Sequence, residues 1–212
     1  MKHLTNLLTL DLDSDIFITD EGIMTLTKLT KLNLRRNDNI TNLAIKKLIN
    51  IEILVLTDNW KITDDVFVYL LKLRTLDLFD NETITDNGIK NLSSLTDLQI
   101  CENNFISNDG ILNLTNLQAL NISDHKFITN DGIKNLTNLR FLDLSFNKCI
   151  TDVGISHLTN LNVLKLTGFS MITPQGLDEL INLTALYIKD NTEFNFHEIK
   201  SRIEIYTGSY GE

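Results

Sequence analysis

Hydrophobic residues recur along this chain at a constant spacing of 22 residues. An isoleucine marks eight successive segments, at Ile18, Ile40, Ile62, Ile84, Ile106, Ile128, Ile150 and Ile172. Leucine fills two further positions in every segment, at Leu26, Leu48, Leu70, Leu92, Leu114, Leu136, Leu158 and Leu180, and at Leu32, Leu54, Leu76, Leu98, Leu120, Leu142, Leu164 and Leu186. A constant period without insertions is typical of solenoids, in which each repeat is one coil stacked on the next. We therefore expect these positions to form a continuous core.

Each coil has two halves with different hydrophobic periods. In the L-x-L half, such as Leu76-Asp77-Leu78, apolar and polar residues alternate, which is the period of a strand. Successive strands are expected to pair in parallel. The other half, such as residues 85–92, starts with Thr-Asp and then has apolar residues three or more apart, which predicts a short helix capped by its first polar side chains. Because helices are wider than strands, the stack should curve with the helices outside.

The complete pattern is I-[TS]-[DN]-x-G-I-x-x-L-x-x-L-x-x-L-x-L-x-x-N-x-x. Its L-x-x-L-x-L-x-x-N part resembles the leucine-rich repeat signature, over about Leu4 to Tyr206. The I-T-D-x-G-I-x-x-L half resembles the cysteine-containing repeats of F-box proteins and the GALA-type repeats of bacterial effectors. This resemblance implies an α/β fold, a right-handed leucine-rich repeat solenoid with a parallel sheet on its concave face and short helices on its convex face.

The unbroken period predicts a single domain over residues 1–212. It would comprise a partial repeat at 1–17, eight full repeats at 18–193 and a capping segment at 194–212, because the isoleucine motif fails at Phe194-Asn195-Phe196. Within that segment, residues 197–202 predict a shortened helix and residues 203–205 a final strand. At the other end, the acidic residues Asp11, Asp13 and Asp15 indicate either a partial cap or the remains of a missing upstream segment.

One polar position is also nearly constant, and it follows the strand. Asparagine fills it at Asn37, Asn59, Asn81, Asn103, Asn147 and Asn191. Its amide can donate to and accept from backbone groups, so we expect a structural ladder. His125 and Phe169 replace asparagine in two coils. His125 can keep one ladder hydrogen bond, whereas Phe169, beside Gly168, indicates a locally different turn and either packing or contact with a partner.

Composition and charge limit the environment of the protein. Only two cysteines occur, Cys101 and Cys149, in coils two repeats apart; roughly 10 Å would separate them, beyond disulfide reach. A reducing, cytoplasmic location is therefore expected, or delivery into a host cell for a bacterial effector. No apolar run of about 18 residues and no clear secretory signal occur, so we expect no membrane association. The net charge of −9 argues against nucleic acid as a ligand.

The chain carries no recognisable catalytic motif. Its histidines, His3, His125, His157 and His197, are scattered over different coils, and no His/Cys group has metal-ligand spacing. Glycine-rich phosphate loops and nucleophile elbows are absent from the sequence. The run of Asp11, Asp13 and Asp15 lacks the glycine and the final glutamate of an EF-hand. We therefore expect no enzymatic activity, no cofactor and no metal.

Residues that point outward from the sheet are the candidate binding surface. Asp58, Asp80, Glu102 and Asp124 share one position in four successive coils, and form either a solvated row beside the asparagine ladder or a docking row for a basic partner. Aromatic and acidic residues nearby complete the predicted partner-binding set, which is Asp58, Phe79, Asp80, Glu102, Asp124, Phe141, Asp143, Phe146, Phe169 and Tyr187. On the third helix, Trp60, Val68 and Tyr69 indicate a better packed helix or a second contact patch.

These features together predict a monomeric protein–protein interaction module that binds a protein partner with a basic surface through its acidic, aromatic-dotted concave face. The resemblance implies a bacterial effector or a ubiquitin-ligase substrate receptor. Two other classes stay open. A regulator of a small GTPase is one, since another leucine-rich repeat group has that activity, and a purely structural spacer is the other.

Overall fold

Parallel strands, one from each coil, form the framework of the protein. The computed structural model describes residues 4–190 and 203–207. In these residues ten strands form one parallel sheet in chain order. They are β1 (Thr9–Asp11), β2 (Lys31–Asn33), β3 (Ile53–Val55), β4 (Thr75–Asp77), β5 (Asp97–Gln99), β6 (Ala119–Asn121), β7 (Phe141–Asp143), β8 (Val163–Lys165), β9 (Ala185–Tyr187) and β10 (Glu204–Tyr206).

The register of the sheet follows the period of the sequence. From β1 to β9 each residue pairs with the residue 22 positions later, as Leu76 does with Leu98. The last pairing is different, because Ile205 lies opposite Leu186. The final strand predicted at residues 203–205 is thus present, displaced by one residue. The helix predicted at 197–202, the Phe194-Asn195-Phe196 motif and Asn191 lie outside the described residues.

Short helices connect the strands. They are α1 (Asp20–Ile23), α2 (Asn42–Ile45), α3 (Asp86–Ile89), α4 (Asn108–Ile111), α5 (Asn130–Ile133) and α6 (Asp152–Ile155), with 3₁₀ helices at Asp64–Tyr69 and Gln175–Leu177. The helical part is shorter than the predicted span of residues 85–92, since α3 has a single turn. A single turn has little stability of its own, so it depends on packing against the neighbouring coils.

The core is one continuous cluster from Leu12 to Ile203. The constant leucines and isoleucines are buried in it as predicted, apart from Ile18, which is partly buried in the first coil. Burying such a side chain contributes about 1.5–3 kcal/mol. Because most of that burial is against the coils above and below, no coil is expected to fold alone.

The buried asparagine ladder has the geometry expected from the sequence. The Asn81 Nδ2 donates to the carbonyl oxygens of Leu56 at 3.0 Å and Asn59 at 2.6 Å. Its Oδ1 accepts from the backbone N–H groups of Thr83 at 3.1 Å and Ile84 at 3.0 Å. Asn37, Asn59 and Asn147 make equivalent contacts. Each amide therefore connects a strand to the previous coil and to its own turn.

A second asparagine ladder runs along the opposite edge of the sheet, and sequence analysis missed it. There the Asn116 Nδ2 donates to the Ser93 carbonyl oxygen at 2.8 Å, and the Asn138 Nδ2 to that of Thr115 at 2.9 Å. Asn50, Asn160 and Asn182 repeat the contact. These residues are exposed or half-exposed and have one such bond each. The signal in the sequence is the asparagine that recurs directly before a buried leucine or isoleucine, at Asn50, Asn116, Asn138, Asn160 and Asn182.

The Thr-Asp motif connects coils more than it caps helices. The Asp86 Oδ1 accepts from the Ser107 backbone N–H at 2.7 Å, and its Oδ2 from the Ser107 hydroxyl at 2.7 Å. A Cβ at Gly110 would overlap the Asp86 carboxylate, so glycine leaves the space for this link. Seven coils use it, through Asp20, Asn42, Asp64, Asp86, Asn108, Asn130 and Asp152.

The predicted capping role is therefore only partly correct. Thr41, Thr85 and Ser107 accept a hydrogen bond from the backbone two residues later, as a cap does. Thr19, Thr63, Thr129 and Thr151 make no such side-chain bond. The aspartate or asparagine that follows binds the next coil instead. Local capping rules could not detect a partner 21 residues away.

The two asparagine ladders should differ in their contribution to stability. We expect Asn81→Ala to lower the free energy of unfolding by about 2–5 kcal/mol, because five hydrogen bonds are lost inside the protein. Asn116→Ala removes one exposed bond and should cost about 1 kcal/mol or less. Urea unfolding of both variants measures the difference. Equal losses would contradict a structural role specific to the buried ladder.

Candidate functional site

The predicted partner-binding residues lie on two surfaces of the fold. One is the outward-facing surface of the strands, called the sheet surface below. The other consists of the turns that follow the strands and is called the exit edge. Asp58, Asp80, Glu102 and Asp124 lie on the exit edge after β3 to β6. Phe141, Asp143 and Tyr187 lie on the sheet surface, on β7 and β9. Phe146 and Phe169 lie on the exit edge after β7 and β8, and Phe79 is half-buried after β4.

Asp58, Asp80, Glu102 and Asp124 are called the acidic row, and the backbone conformation of the turn partly explains why acidic residues recur there. All four residues have positive φ, from 48° at Asp80 to 58° at Glu102. The equivalent residues of other coils share it, among them Arg36, Phe146 and Gly168. Aspartate adopts this left-handed conformation more readily than most residues, so the turn itself favours three of the four acids. Glutamate has no such preference.

Gly168 occupies the same turn position as the acidic row. Its φ is 75°, and its N–H donates to the Lys189 carbonyl oxygen at 2.7 Å, as the Phe146 N–H does to Thr167 at 2.9 Å. The backbone at Gly168 therefore matches that of the other coils, and the local difference expected for this turn lies beyond it. The difference lies in the ladder, where the Ser170 hydroxyl accepts from the Ile172 N–H at 3.1 Å.

The four carboxylates are not equivalent. The Asp58 Oδ2 accepts from the Arg36 Nε at 2.8 Å, so its charge is paired. Loss of hydration, together with hydrogen bonding and repulsion by the adjacent Asp58 carboxyl, raises the pKa of Asp80. Glu102 and Asp124 are exposed, and no ion pair within the described residues involves either. The accessible negative charge is therefore concentrated at Glu102 and Asp124, with Asp80 beside them.

A lysine organises the aromatic part of the sheet surface. The Lys165 Nζ lies 5.0 Å from the ring centroid of Phe141 and 5.7 Å from that of Tyr187. It also lies 3.7 Å from the Asp143 Oδ2. Tyr206 on β10 stacks on Tyr187 with centroids 4.5 Å apart and planes at 13°. These five residues are called the Lys165 cluster.

Two members of this cluster were missing from the predicted set. Lys165 lies on β8, whereas its aromatic neighbours lie on the two adjoining strands, and only lateral pairing brings them together. Tyr206 follows the last pairing, which breaks the 22-residue period, so counting could not align it with Tyr187. Its hydroxyl donates to the Glu204 Oε2 at 2.6 Å, and this bond raises the pKa of Tyr206.

A depression of about 280 Å³ adjoins the Lys165 cluster. Ala119 and Leu120 on β6 lie in it, flanked by Phe141 on one side and by Asp97 on the other; its remaining lining is Thr75, Leu98, Gln99, Asn121, Asp143 and Lys165. The short Ala119 side chain leaves this space between longer neighbours. Its size suits one side chain of a partner better than a small-molecule ligand, since ligand sites usually exceed about 300 Å³.

A larger open groove of about 790 Å³ lies on the other edge of the sheet, away from every predicted site residue. Its lining is mainly polar and consists of Glu52, Leu71, Lys72, Arg74, Ser94, Thr96, Asn116, Gln118, Asn138 and Arg140. Several of these belong to the exposed asparagine ladder or adjoin it. The groove lies in the recess between successive turns, and its lining includes no aromatic side chain of the kind that usually dominates a protein interface.

The two cysteines lie in different environments. Burial raises the pKa of the Cys101 thiol to about 11, so it stays protonated. Cys149 is half-buried, and its Sγ lies 3.4 Å from the Lys126 carbonyl oxygen. The described residues bring together no group of three His, Cys, Asp or Glu side chains suited to hold a metal ion.

The 3₁₀ helix Asp64–Tyr69, which is the third helical segment of the chain, has both features that the sequence left open, a well packed side and an exposed apolar side. Val66 and Phe67 are buried, which supports a better packed helix. Trp60, Val68 and Tyr69 are exposed, and the Lys46 Nζ lies 5.8 Å from the Tyr69 ring centroid. The apolar surface there remains a candidate second contact patch.

Comparison with known proteins identifies the class. A family model described as "Leucine Rich repeat" matches residues 25–49, 69–93, 113–136 and 135–158. No curated protein matches the chain. The matched segments are leucine-rich repeats, and the fold of the chain is the α/β solenoid of leucine-rich repeat proteins. Such proteins generally mediate protein–protein interactions and are typically binding scaffolds without enzymatic activity.

Solved structures support the same fold. An internalin, InlF of Listeria monocytogenes, is 25% identical, with a TM-score of 0.74, and the match covers 99% of this chain and 69% of that one. The TLR13–ssRNA13 complex gives 27% identity and a TM-score of 0.65 over 87% of this chain and 29% of that one. Internalin C2 of L. monocytogenes, at 22% identity and a TM-score of 0.56 over 88% and 89% of the chains, supports the fold alone.

These matches confirm the leucine-rich repeat and do not distinguish the F-box-associated or GALA-type variants. Within the part of the chain that the structure describes, no helix combines the length and the apolar character needed to cross a bilayer.

His125 keeps one ladder hydrogen bond, as predicted from the sequence. Its Nδ1 accepts from the Phe127 N–H at 3.3 Å, so in the neutral ring Nε2 carries the proton. That Nε2 is buried and has no hydrogen-bond partner in the described structure. Burial lowers the pKa of His125 to about 4. The residue is therefore a weakened member of the ladder and a poor general base at neutral pH.

This burial should make stability depend on pH. Between pH 6.5 and about 4 the unfolded chain binds a proton at His125 that the folded protein excludes, so the free energy of unfolding falls as the pH is lowered. The loss amounts to about 3 kcal/mol. We expect His125→Asn to abolish it and to be more stable at both about pH 7 and about pH 4.5, with the larger gain at the lower pH. Urea unfolding of both proteins tests this; a gain that is constant with pH would contradict it.

Proposed function

We propose that this protein is a binding module that captures a folded protein or peptide with a basic surface on its sheet surface and the adjoining exit edge. One observation carries the proposal: exposed carboxylates and an ordered aromatic cluster lie on adjoining strands and turns of one rigid sheet. The acidic row would select the charge of the partner, and the Lys165 cluster would supply the contact area.

The acidic row supports a basic partner. Asp80, Glu102 and Asp124 follow adjacent strands, which lie about 4.8 Å apart, so their potentials overlap. Loss of hydration raises the pKa of Asp80, and the adjacent Asp58 carboxyl raises it further. A lysine or arginine from a partner would relieve this repulsion, steer the encounter and raise the association rate.

The Lys165 cluster supports a defined contact point. Phe141 and Tyr187 are half-buried and held by the same lysine, so little side-chain freedom remains to be lost on binding. Aromatic side chains beside a pocket are typical of the residues that dominate interface energies. The depression above Ala119 would accept one side chain of the partner, with the Asp97 carboxylate at its rim.

The finer forms of the proposal rest on resemblance. A bacterial effector or a ubiquitin-ligase substrate receptor, acting in the cytoplasm or delivered into a host cell, follows from the I-T-D-x-G-I-x-x-L half of the repeat. The RNA in the TLR13–ssRNA13 complex is a partner of TLR13 and not of this chain. Here the net charge of −9 and the acidic row favour a protein partner over nucleic acid.

Charge reversal at Asp80 and Glu102 together should weaken partner capture without unfolding the protein. The immobilised wild-type protein and the Asp80→Lys, Glu102→Lys variant would be incubated with a lysate of the expressing cells or of their host, and the bound proteins quantified by mass spectrometry. We expect basic proteins to be enriched on the wild type, lost from the double variant and released by added salt.

A matched variant separates location from net charge. Asp109→Lys with Glu179→Lys makes the same change at exposed residues of the helical side. It should capture like the wild type. Equal capture by the Asp80→Lys, Glu102→Lys variant would exclude the acidic row, and the absence of any specific partner would favour a structural spacer. Small GTPases among the captured proteins would favour the regulator, which a GTP hydrolysis assay would then test.

A further inference from the structure

One carboxylate on the sheet surface, that of Asp97 on β5, has no structural task in the fold. Within the described residues it accepts one hydrogen bond, from the hydroxyl of the preceding threonine at 2.7 Å, and it forms no ion pair. Asp77 and Asp143, at the ends of β4 and β7, accept from the backbone N–H groups of Phe79 and Ser145 at 3.0 Å. Those bonds stabilise the turns that follow the strands, so the fold explains these two acids and does not explain Asp97.

The strand position of Asp97 accepts very different side chains in other coils. Lateral pairing aligns it with Lys31, Ile53, Phe141 and Val163, among others. No single residue type is therefore needed there for the coil to fold. Asp97 is also half-buried, although an acid without a partner is better hydrated when it is fully exposed. A half-buried charge that the fold does not use indicates contact with something outside the chain.

A gap in the sheet surface lies directly beside this carboxylate. Ala119 on β6 pairs with Asp97 on one side and with Phe141 on the other. Strands lie about 4.8 Å apart, so the Cα atoms of Asp97 and Phe141 are separated by about 10 Å. The short alanine side chain between them leaves the depression of about 280 Å³. A side chain that enters this space meets a carboxylate on one wall and an aromatic ring on the opposite wall.

The charges around the depression favour a cation as its occupant. Three charged residues line it, Asp97, Asp143 and Lys165. The Lys165 Nζ lies 3.7 Å from the Asp143 Oδ2, so these two charges compensate each other. The charge of Asp97 is left over, and the lining is net negative. Lys165 also reaches the Phe141 ring from β8, whereas the depression adjoins that ring from β6.

We propose that the depression is an anchor site for one arginine side chain of the protein partner. The planar guanidinium would stack on the Phe141 ring and donate two parallel N–H groups to the Asp97 carboxylate. The exposed Gln99 at the rim offers a further side-chain oxygen as an acceptor. A lysine could pair with Asp97, but its compact and strongly hydrated ammonium group can neither stack as a plane nor donate in parallel.

This inference rests on the proposed function and names the residue by which the partner would be recognised. The acidic row steers a basic surface toward the sheet, and the arginine site fixes its position. Arginine is one of the residues that most often dominate interface energies, particularly in a pocket from which water is excluded. The preformed walls of the depression also leave little side-chain ordering to be achieved on binding.

The composition of the chain provides a direct reporter for this site. It contains three alanines, Ala44, Ala119 and Ala185. Protein labelled with ¹³C at the alanine methyl groups would be titrated with Nα-acetyl-arginine amide and followed by NMR. We expect a saturable shift of the Ala119 methyl signal alone. Ala185 has the same position on β9 and Ala44 is buried in α2, so both are internal controls.

The chemistry of the probe separates arginine from related side chains. Nα-acetyl-lysine amide should bind more weakly than the arginine compound because it cannot stack on Phe141. Nα-acetyl-citrulline amide has nearly the shape of the arginine compound without its charge, and its dissociation constant should be at least about tenfold higher, which corresponds to about 1.4 kcal/mol.

A pair of matched variants tests the carboxylate. Asp97→Asn should raise the dissociation constant of the arginine compound about tenfold, because it removes the charge that pairs with the guanidinium. Asp109→Asn removes the same charge from an exposed residue of α4 and should leave the constant unchanged. Unchanged Ala44 and Ala185 signals in the free variants confirm that both are folded.

The proposal would be overturned by an Ala119 signal that does not shift, by an equal shift of Ala185, or by equal affinity for the lysine or citrulline compound. Equal affinity of Asp97→Asn and the wild type would overturn it as well. The lysate capture described above separates this site from the proposed function. Capture that needs Asp80 and Glu102 but is unchanged in Asp97→Asn and in Ala119→Leu, which fills the depression, removes the anchor site alone. Arginine binding at Ala119 without any captured protein removes the proposed function alone.

Discussion

The carbonyl oxygens at the ends of the strands need hydrogen-bond donors inside the protein, and in most coils the asparagine amide of the next coil supplies them. In the Asn81 example one side chain completes the backbone of two coils. An amide has a short and constant reach, so the coil must return to the same place after the same number of residues. We attribute the strict 22-residue period to this geometry, because an inserted residue would separate donor from acceptor and leave buried carbonyls unsatisfied.

With the interior constrained in this way, variation is confined to outward positions, and even these differ in freedom. The turn position of Asp58, Asp80 and Asp124 has positive φ in every coil, so the chain selects for aspartate there before any partner is considered. Glutamate does not favour this backbone conformation, so the turn does not explain Glu102 at the same position. The Lys165 cluster is free of this constraint as well. Side chains that the fold does not demand are the better indicators of function.

How far the sequence could be read depended on the range of each interaction. Buried leucines report their own environment, so the strands and the core were predictable from spacing. Hydrogen bonds between residues about one coil apart could be predicted only where both partners recur from coil to coil, as for the buried asparagines and the backbone. The Asp86–Ser107 link was mistaken for a helix cap, since both residues also fit a local role. Tyr206 could not be placed at all, because the last coil departs from the period.

The central claim is that a protein partner docks on the sheet surface beside the Lys165 cluster. Site-specific photocrosslinking tests it directly, with a photoreactive amino acid placed either at Gln99, an exposed residue at the rim of the depression, or at Val153 on the helical side. The account predicts that captured partner crosslinks from position 99 and not from position 153. Crosslinking from position 153 with none from position 99 would contradict it.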